Sequence, residues 1–469
     1  MPPLSELSLD RRTLLAAYAA GTLSPVDVVD EVYRRIAAAG NDHVWLHLVP
    51  HVEARQRADA LVRRHAGRPR PPLYGLPYGV KDNIDVAGLP TTAACAAIRR
   101  IPEVSATVVE RLERVGAILI GKQNLDQFAT GLVGIRNPAG YPRNAFDAGY
   151  IPGGSSSGSA VAVAKGQVSF SIGSDTGGSG RVPAALNNIV GLKATPGLVS
   201  NHGFLWNNLT FDVAPVFALT VDDAFTVLRS IAGHDPRDPF TVDRPSLPAR
   251  LTGKKHTFRF AQPRQTQLDF FGDSQAAAAF DRSMDTLCRI GGIPVEIDCT
   301  PFLQAGELIF DSPFIVERAL TYGEIARAHP ATIHPAVAAA LAAAERYRAE
   351  DVFRAIYRLA TLQQETHSRL TAVDVLALPT AGTIYRCSEV EADPIRTNAT
   401  LGRYTCFANP LRLAAVSVPA GLRGDGLPFG LQLLARPFGE TALEAIARRF
   451  HGAVGGQLGV TSTQLNECG

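Results

Sequence analysis

The 469 residues carry 46 Lys and Arg against 44 Asp and Glu, a formal charge of +2 with no long basic run, so nucleic acid is not the default partner. Apolar residues at 46% and charged residues at 19% are ordinary globular values, and the length allows one large domain or two or three smaller ones. No stretch approaches 18 uninterrupted apolar residues, and the opening MPPLSELSLDRRTLLAAYAAG lacks the basic region of a signal peptide, which points to a soluble, cytoplasmic chain with no membrane partner. Cys95, Cys288, Cys299, Cys387, Cys406 and Cys468 form no C-x-x-C pair and no zinc-spaced cluster, so they read as reduced thiols and no metal site is expected.

Ser24-Pro25 opens a helix, with Ser as cap and Pro at the first helical position, and VDVVDEVYRRIAAAG continues it until Gly40. A second helix is predicted over about 53–66. PPLYGLPYGVKDNIDV reads as turns around a short strand, and ATVVERLERVG followed by AILIGK as a helix feeding a buried strand. Between 151 and 197 the chain is rich in Gly and Ser, with VAVAKG as a short helix and QVSFSIGS as a central strand. The stretch 240–335 is punctuated by proline, and a long helix is predicted from Pro335 through AVAAALAAAERYRAEDVFRAIYRL, so 240–370 reads as a lid-like helical subregion. VDVLALPT, AAVSVPAG and FGLQLLA return to strand, and ETALEAIARRFH closes with a helix. No repeat of fixed period and no low-complexity tract interrupts this α/β alternation.

The chemistry concentrates in GGSSSGSAVAVAKGQVSFSIGSDTGGSGR, where a serine run is followed by Ser179 in a turn of glycines. Gly177, Gly178 and Gly180 let the backbone turn sharply and aim N–H groups inward, as an oxyanion requires. Ser179 is the natural nucleophile there, but a serine needs a neighbouring base, and no G-x-S-x-G elbow supports a Ser-His-Asp arrangement. Lys81, just after the apolar Tyr78-Gly79-Val80, is the better base candidate, because burial favours its neutral form. Taken alone, the Gly/Ser run is equally well a loop and Lys81 equally well a solvated surface charge.

GVKDNID, PGGSSSGS and DTGGSGRVPAALNNIVGLKATPG together resemble the amidase signature family. The resemblance implies an α/β amidase signature fold, a mixed central sheet covered by helices on both faces, forming a single domain over 1–469. It implies Ser179 as nucleophile, Ser155 as bridging serine behind a cis Gly154–Ser155 peptide, and Lys81 as base. It further implies an oxyanion hole from the N–H groups of Thr176, Gly177, Gly178 and Ser179, with Ser156 and Asp175 in support. The chemistry is acyl transfer through a covalent intermediate, with no metal or organic cofactor.

Beyond the core, DQFATGLVG with Gly131, LPTAGTIY, ADPIR, and VPAG with GLPFG resemble the amidase part of allophanate hydrolases, without the C-terminal domain that usually follows it. The resemblance implies a small urea-like substrate, ammonia release and a homodimer. It also matches Arg318 to an arginine that grips the substrate carboxylate, with Phe310 in the place of its helper tyrosine. Asn207 and Asn208 stand where positive charge is expected. Asparagine donates and accepts, which brings guanylurea beside allophanate as a candidate, although Arg318 would repel a cation. The alternatives are an amidase of other small amides or carbamates, the glutaminase subunit of a tRNA-dependent amidotransferase, and an inactive binding module. GAILIGK at 116–122 lacks the Ser/Thr of a P-loop and reads as a buried strand; His43, His47 and His51 recur at helical spacing, but Pro50 interrupts and the surrounding VWLHLV reads as a strand, so no metal is expected there; and Arg412 reads as structural.

Overall fold

The computed structural model describes residues 4–243, 257–310, 312–461 and 463–465. One mixed sheet of eleven strands organises them, in the order β1-β3-β2-β4-β6-β5-β10-β11-β9-β7-β8. The strands are β1 (Trp45–Leu48), β2 (Pro77–Lys81), β3 (Ile118–Gln123), β4 (Phe170–Ile172), β5 (Val190–Lys193), β6 (Val216–Ala218), β7 (Phe258–Pro263), β8 (Gly292–Ile297), β9 (Val375–Pro379), β10 (Ala414–Leu422) and β11 (Pro428–Ala435). β2 runs parallel to both β3 and β4, and β7 runs parallel to β8 and β9, while the centre from β4 to β9 is antiparallel.

Strand alternation assigns side chains to two cores. In β9, Val375 and Ala377 join one apolar cluster and Leu376 and Leu378 the other; in β11, Leu431 and Leu433 face one side and Leu434 the opposite. Both faces are thus covered, which is why these strands read as unbroken apolar runs in the sequence. The first helix forms where its signals lie: Ser24 Oγ accepts the Asp27 N–H, the Asp27 carboxylate accepts the Ser24 N–H, and Pro25–Ala39 ends at Gly40 with φ +64°.

Two expectations are corrected. The segment 240–370 is not a helical lid: β7, the helix Ser274–Arg289 and β8 form a parallel unit that extends the sheet, and only the helices from Thr300 onward stand outside it. The long helix from Pro335 is broken, with Pro335–Ala342 and Ala349–Arg369 separated by a 3-10 turn at Ala343–Arg346, where Asp351 accepts the Arg348 N–H and starts a new helix. The segment GAILIGK is the buried strand β3, with Lys122 paired to Asp82 at 3.0 Å. The cysteines among the described residues are free, and Cys468 lies outside them. No described helix is long and apolar enough to cross a membrane.

Candidate active site

β2 and β4 are parallel neighbours, and the chain beyond their carboxyl ends carries the polar residues of interest, the position where open α/β sheets place ligands. Lys81 is the last residue of β2 and is fully buried. Its Nζ donates to Ser155 Oγ at 2.7 Å and to Ser174 Oγ at 2.9 Å, and Asn83 Nδ2 donates to the same Ser174 hydroxyl at 3.2 Å. Burial drags the Lys81 pKa down to about 7, although Asp126, Asp212 and Asp175 pull it upward. Near neutral pH a large fraction of this amine is therefore uncharged and able to take a proton across the 2.7 Å contact. Burial also lowers Lys193 to about 7, but its Nζ donates to the carbonyls of Ala194 and Leu413 and to no hydroxyl among the described residues. The contact with Ser155, more than the pKa, marks out Lys81.

The Gly154–Ser155 peptide is cis, and the helix Ser157–Ala164 begins directly after Ser156. Ser156 Oγ donates to Ser174 O at 3.1 Å, tying the serine run to the loop that follows β4. That loop is built around the Asp175 carboxylate. It accepts Gly178 N at 2.8 Å, Gly180 N at 2.9 Å and both Nε and Nη2 of Arg181 at 3.0 Å. Arg181 is itself fully buried and donates to Thr405 O, Gln432 Oε1 and Asn409 Oδ1. Paired and hydrogen-bonded in this way, Asp175 stays ionised although it is wholly buried: burial pushes its pKa up, and Arg181, Lys193 and the Gly180 N–H outweigh that. Gly177 O accepts from Thr405 Oγ1 at 2.8 Å and from Cys406 Sγ at 3.0 Å. The loop is thus held from both sides, with Ser179 buried within it. Of the four residues named for an oxyanion hole, Gly178 donates its N–H to Asp175, and Thr176, Gly177 and Ser179 are the other three.

A second polar cluster surrounds Asp212. Its carboxylate accepts the Thr176 hydroxyl and the N–H groups of Asn207 at 2.8 Å and Asn208 at 3.2 Å, and burial raises its pKa to about 6. Asn207 Nδ2 donates to Phe128 O and Thr130 Oγ1, and its Oδ1 accepts Arg318 Nε at 3.1 Å. Asn208 Nδ2 donates to Phe314 O, while its Oδ1 is buried without a partner among the described residues. Of the two asparagines expected at the substrate, Asn207 thus engages its amide with Phe128, Thr130 and Arg318. Arg318, on the helix Val316–Ala328, is buried and has no carboxylate partner among the described residues; burial lowers its pKa to about 10, which leaves it cationic at neutral pH. Gly131, with φ +149°, lies against Asp126 and Arg136, where a Cβ would come within 2.8 Å of Asp126 Oδ2. The side chain of Phe310, the last residue of the helix Thr300–Phe310, lies outside the described residues.

A family model described as Amidase matches residues 27–443. The chain belongs to the amidase family. Urea amidolyase of Saccharomyces cerevisiae is 37% identical to this amidase over 411 residues, covering 87% of the chain but 22% of the relative's own length. A glutamyl-tRNA(Gln) amidotransferase subunit from Chloroflexus aurantiacus is 34% identical over 462 residues, covering 91% of this chain and 93% of that one. The solved structure of Kluyveromyces lactis allophanate hydrolase superposes with a TM-score of 0.90 at 31% identity, covering 98% of this chain and 76% of that one.

Several residues of the amidase site are not singled out by the sequence. Ser174 and Asn83 lie inside the motifs GGSSSGSAVAVAKGQVSFSIGSDTGGSGR and GVKDNID, and their polar character near Asp175 and Lys81 is the available signal. Asp212, Thr405 and Asn409 reach the loop from up to 234 positions away, a separation that carries no local pattern. No group of three or more His, Cys, Asp or Glu among the described residues converges as metal ligands would.

Proposed function

We propose that this amidase hydrolyses the terminal amide C–N bond of a small urea-type compound through an acyl-enzyme on Ser179, releasing ammonia. The observation that carries the reading is the 2.7 Å contact between the buried, readily neutralised Lys81 and Ser155. As Ser179 Oγ attacks the carbonyl carbon, its proton passes to Ser155 Oγ, and the Ser155 proton passes to Lys81 Nζ. The carbonyl oxygen becomes an oxyanion opposite the N–H groups of Thr176, Gly177 and Ser179. Collapse returns the proton through Ser155 to the leaving nitrogen, the C–N bond breaks, and ammonia departs. Water then attacks the acyl-enzyme, giving its proton to the same relay, and Ser179 is restored.

The buried Arg318 supports a distal carboxylate, as in allophanate. A carboxylate about 4 Å from a guanidinium gains roughly 4 kcal/mol at an effective dielectric of 20, and a cation there loses as much. Guanylurea is the second reading, favoured by the unpartnered acceptor Asn208 Oδ1. Ammonia release is measured on allophanate, guanylurea, biuret, an aliphatic amide and a carbamate ester, alongside fluorophosphonate labelling of Ser179. Allophanate is expected to lead the panel, with Ser179→Ala inactive and unlabelled. A fully active Ser179→Ala, or an aliphatic amide turned over faster than every urea-type compound, overturns the assignment.

A further inference from the structure

Tyr322 lies one helical turn beyond Arg318 on the helix Val316–Ala328, so the two side chains share a face. Its ring is fully buried and stacks on Phe128, with centroids 4.3 Å apart and planes inclined by 6°. Phe128 O accepts the Asn207 amide, and the Oδ1 of that amide accepts Arg318 Nε. Tyr322 thus shares a helix face with Arg318, and its hydroxyl is buried without a hydrogen-bond partner among the described residues. Buried hydroxyls are nearly always satisfied, so an unpartnered one beside a recognition group signals a missing acceptor or donor.

The charged groups acting on this hydroxyl are Asp212, Arg318 and Arg100; burial pushes the phenol far above its ordinary pKa, so it stays protonated and can donate. Tyr78 also has a buried hydroxyl without a partner among the described residues, but the charges acting on it are Glu113 and Arg57, outside the site.

We propose that the Tyr322 hydroxyl is a specificity-determining contact that donates, beside the Arg318 guanidinium, to an acceptor oxygen at the end of the substrate distal to the scissile bond. The inference rests on the urea-type amidase reading above and names the protein group that reads the distal end. Tyr322 forms no covalent bond to substrate and moves no proton in the reaction; its contribution is to binding.

Tyr322→Phe keeps the ring stacked on Phe128 and removes one oxygen. Steady-state turnover of allophanate and of a simple aliphatic amide is compared in the two enzymes, together with the allophanate Kd measured by calorimetry in Ser179→Ala with and without Tyr322→Phe. The expected result is a fall of about 10- to 100-fold in kcat/KM for allophanate, carried by KM, with the aliphatic amide unchanged and a matching rise in Kd. Any loss of folded enzyme lowers both amides alike, so the ratio of the two remains the readout. An unchanged allophanate KM, or equal losses on both amides, overturns the role of Tyr322 while leaving the functional reading intact. A wild-type enzyme that turns over no urea-type amide overturns that reading, and the inference falls with it.

Discussion

Replacing Lys81 by Met removes the amine while keeping an unbranched stem of similar length in a fully buried position. In the wild type, burial lowers the Lys81 pKa from 10.5 to about 7. At about 1.4 kcal/mol per unit, that gap separates the two protonation states by roughly 5 kcal/mol. Between pH 7 and 10.5 the unfolded chain holds one proton more than the native protein at this site, so the Lys81 contribution to unfolding free energy rises with pH, by about 1.4 kcal/mol per unit. Below pH 7 both states are protonated and the full cost of the buried ammonium remains. Lys81→Met lacks this term. It is therefore expected to be more stable than wild type by several kcal/mol at about pH 6, with the advantage shrinking steadily toward about pH 9; groups that do not interact with Lys81 cancel in the difference, whereas Asp212, whose pKa the Lys81 charge lowers, does not. Urea denaturation of both proteins at about pH 6, 7, 8 and 9 measures this directly. In parallel, wild-type kcat/KM rises with pH through a midpoint near 7 as Lys81 becomes neutral, and the Met variant loses on the order of 10²–10⁴-fold. A Met variant less stable than wild type at about pH 6, or a stability difference that does not change between about pH 7 and 9, refutes the argument that Lys81 is a desolvated, readily neutralised base.

Asp212→Asn keeps the shape of the cluster but replaces the acceptor of Thr176 Oγ1 and of the Asn207 and Asn208 N–H groups. Because burial raises the Asp212 pKa to about 6, wild-type activity is expected to lose an additional component as pH falls through 6, and the Asn variant to be at least about tenfold slower at about pH 8 without that component, read from kcat/KM profiles. Arg181→Met strands the buried Asp175 carboxylate without its cation and is expected to cost roughly 3–5 kcal/mol in a denaturation experiment at about pH 7. A cost below about 1 kcal/mol would show that the Gly178 and Gly180 N–H groups hold Asp175 unaided.

Legibility followed locality. Ser24-Pro25 and Gly40 bracket a helix because cap and stop signals act within a few residues, and β9, β10 and β11 were legible as strands because burial on both faces makes their apolar runs continuous. β8 is illegible for the opposite reason: it is an edge strand with partly exposed side chains and Pro294 inside it, so it shows no clean alternation. The alanine-rich segment after Pro335 has high helix propensity throughout, and propensity does not locate the break at Ala343–Arg346. At the site, Lys81 and the serine run stood out because each motif is contiguous. Their supports did not: the Arg181 contact with Gln432 spans 251 positions, and the Asn207 contact with Arg318 spans 111.

Those long-range contacts make the two ends of the site one structure. Arg318 Nε binds Asn207 Oδ1, the Asn207 N–H binds one oxygen of Asp212, and the other oxygen of Asp212 takes the Thr176 hydroxyl in the loop that carries Ser179. A residue that touches only the far end of the substrate acts on ground state and transition state alike and changes KM, whereas a residue within this chain also shifts the peptide groups facing the reacting carbonyl and changes kcat with it. Tyr322, off the chain and stacked on Phe128, belongs to the first kind, and Asn207 and Asp212 to the second. The kinetic signature of each substitution therefore separates recognition from coupling without a bound ligand, because the hydrogen-bond path fixes which parameter must move.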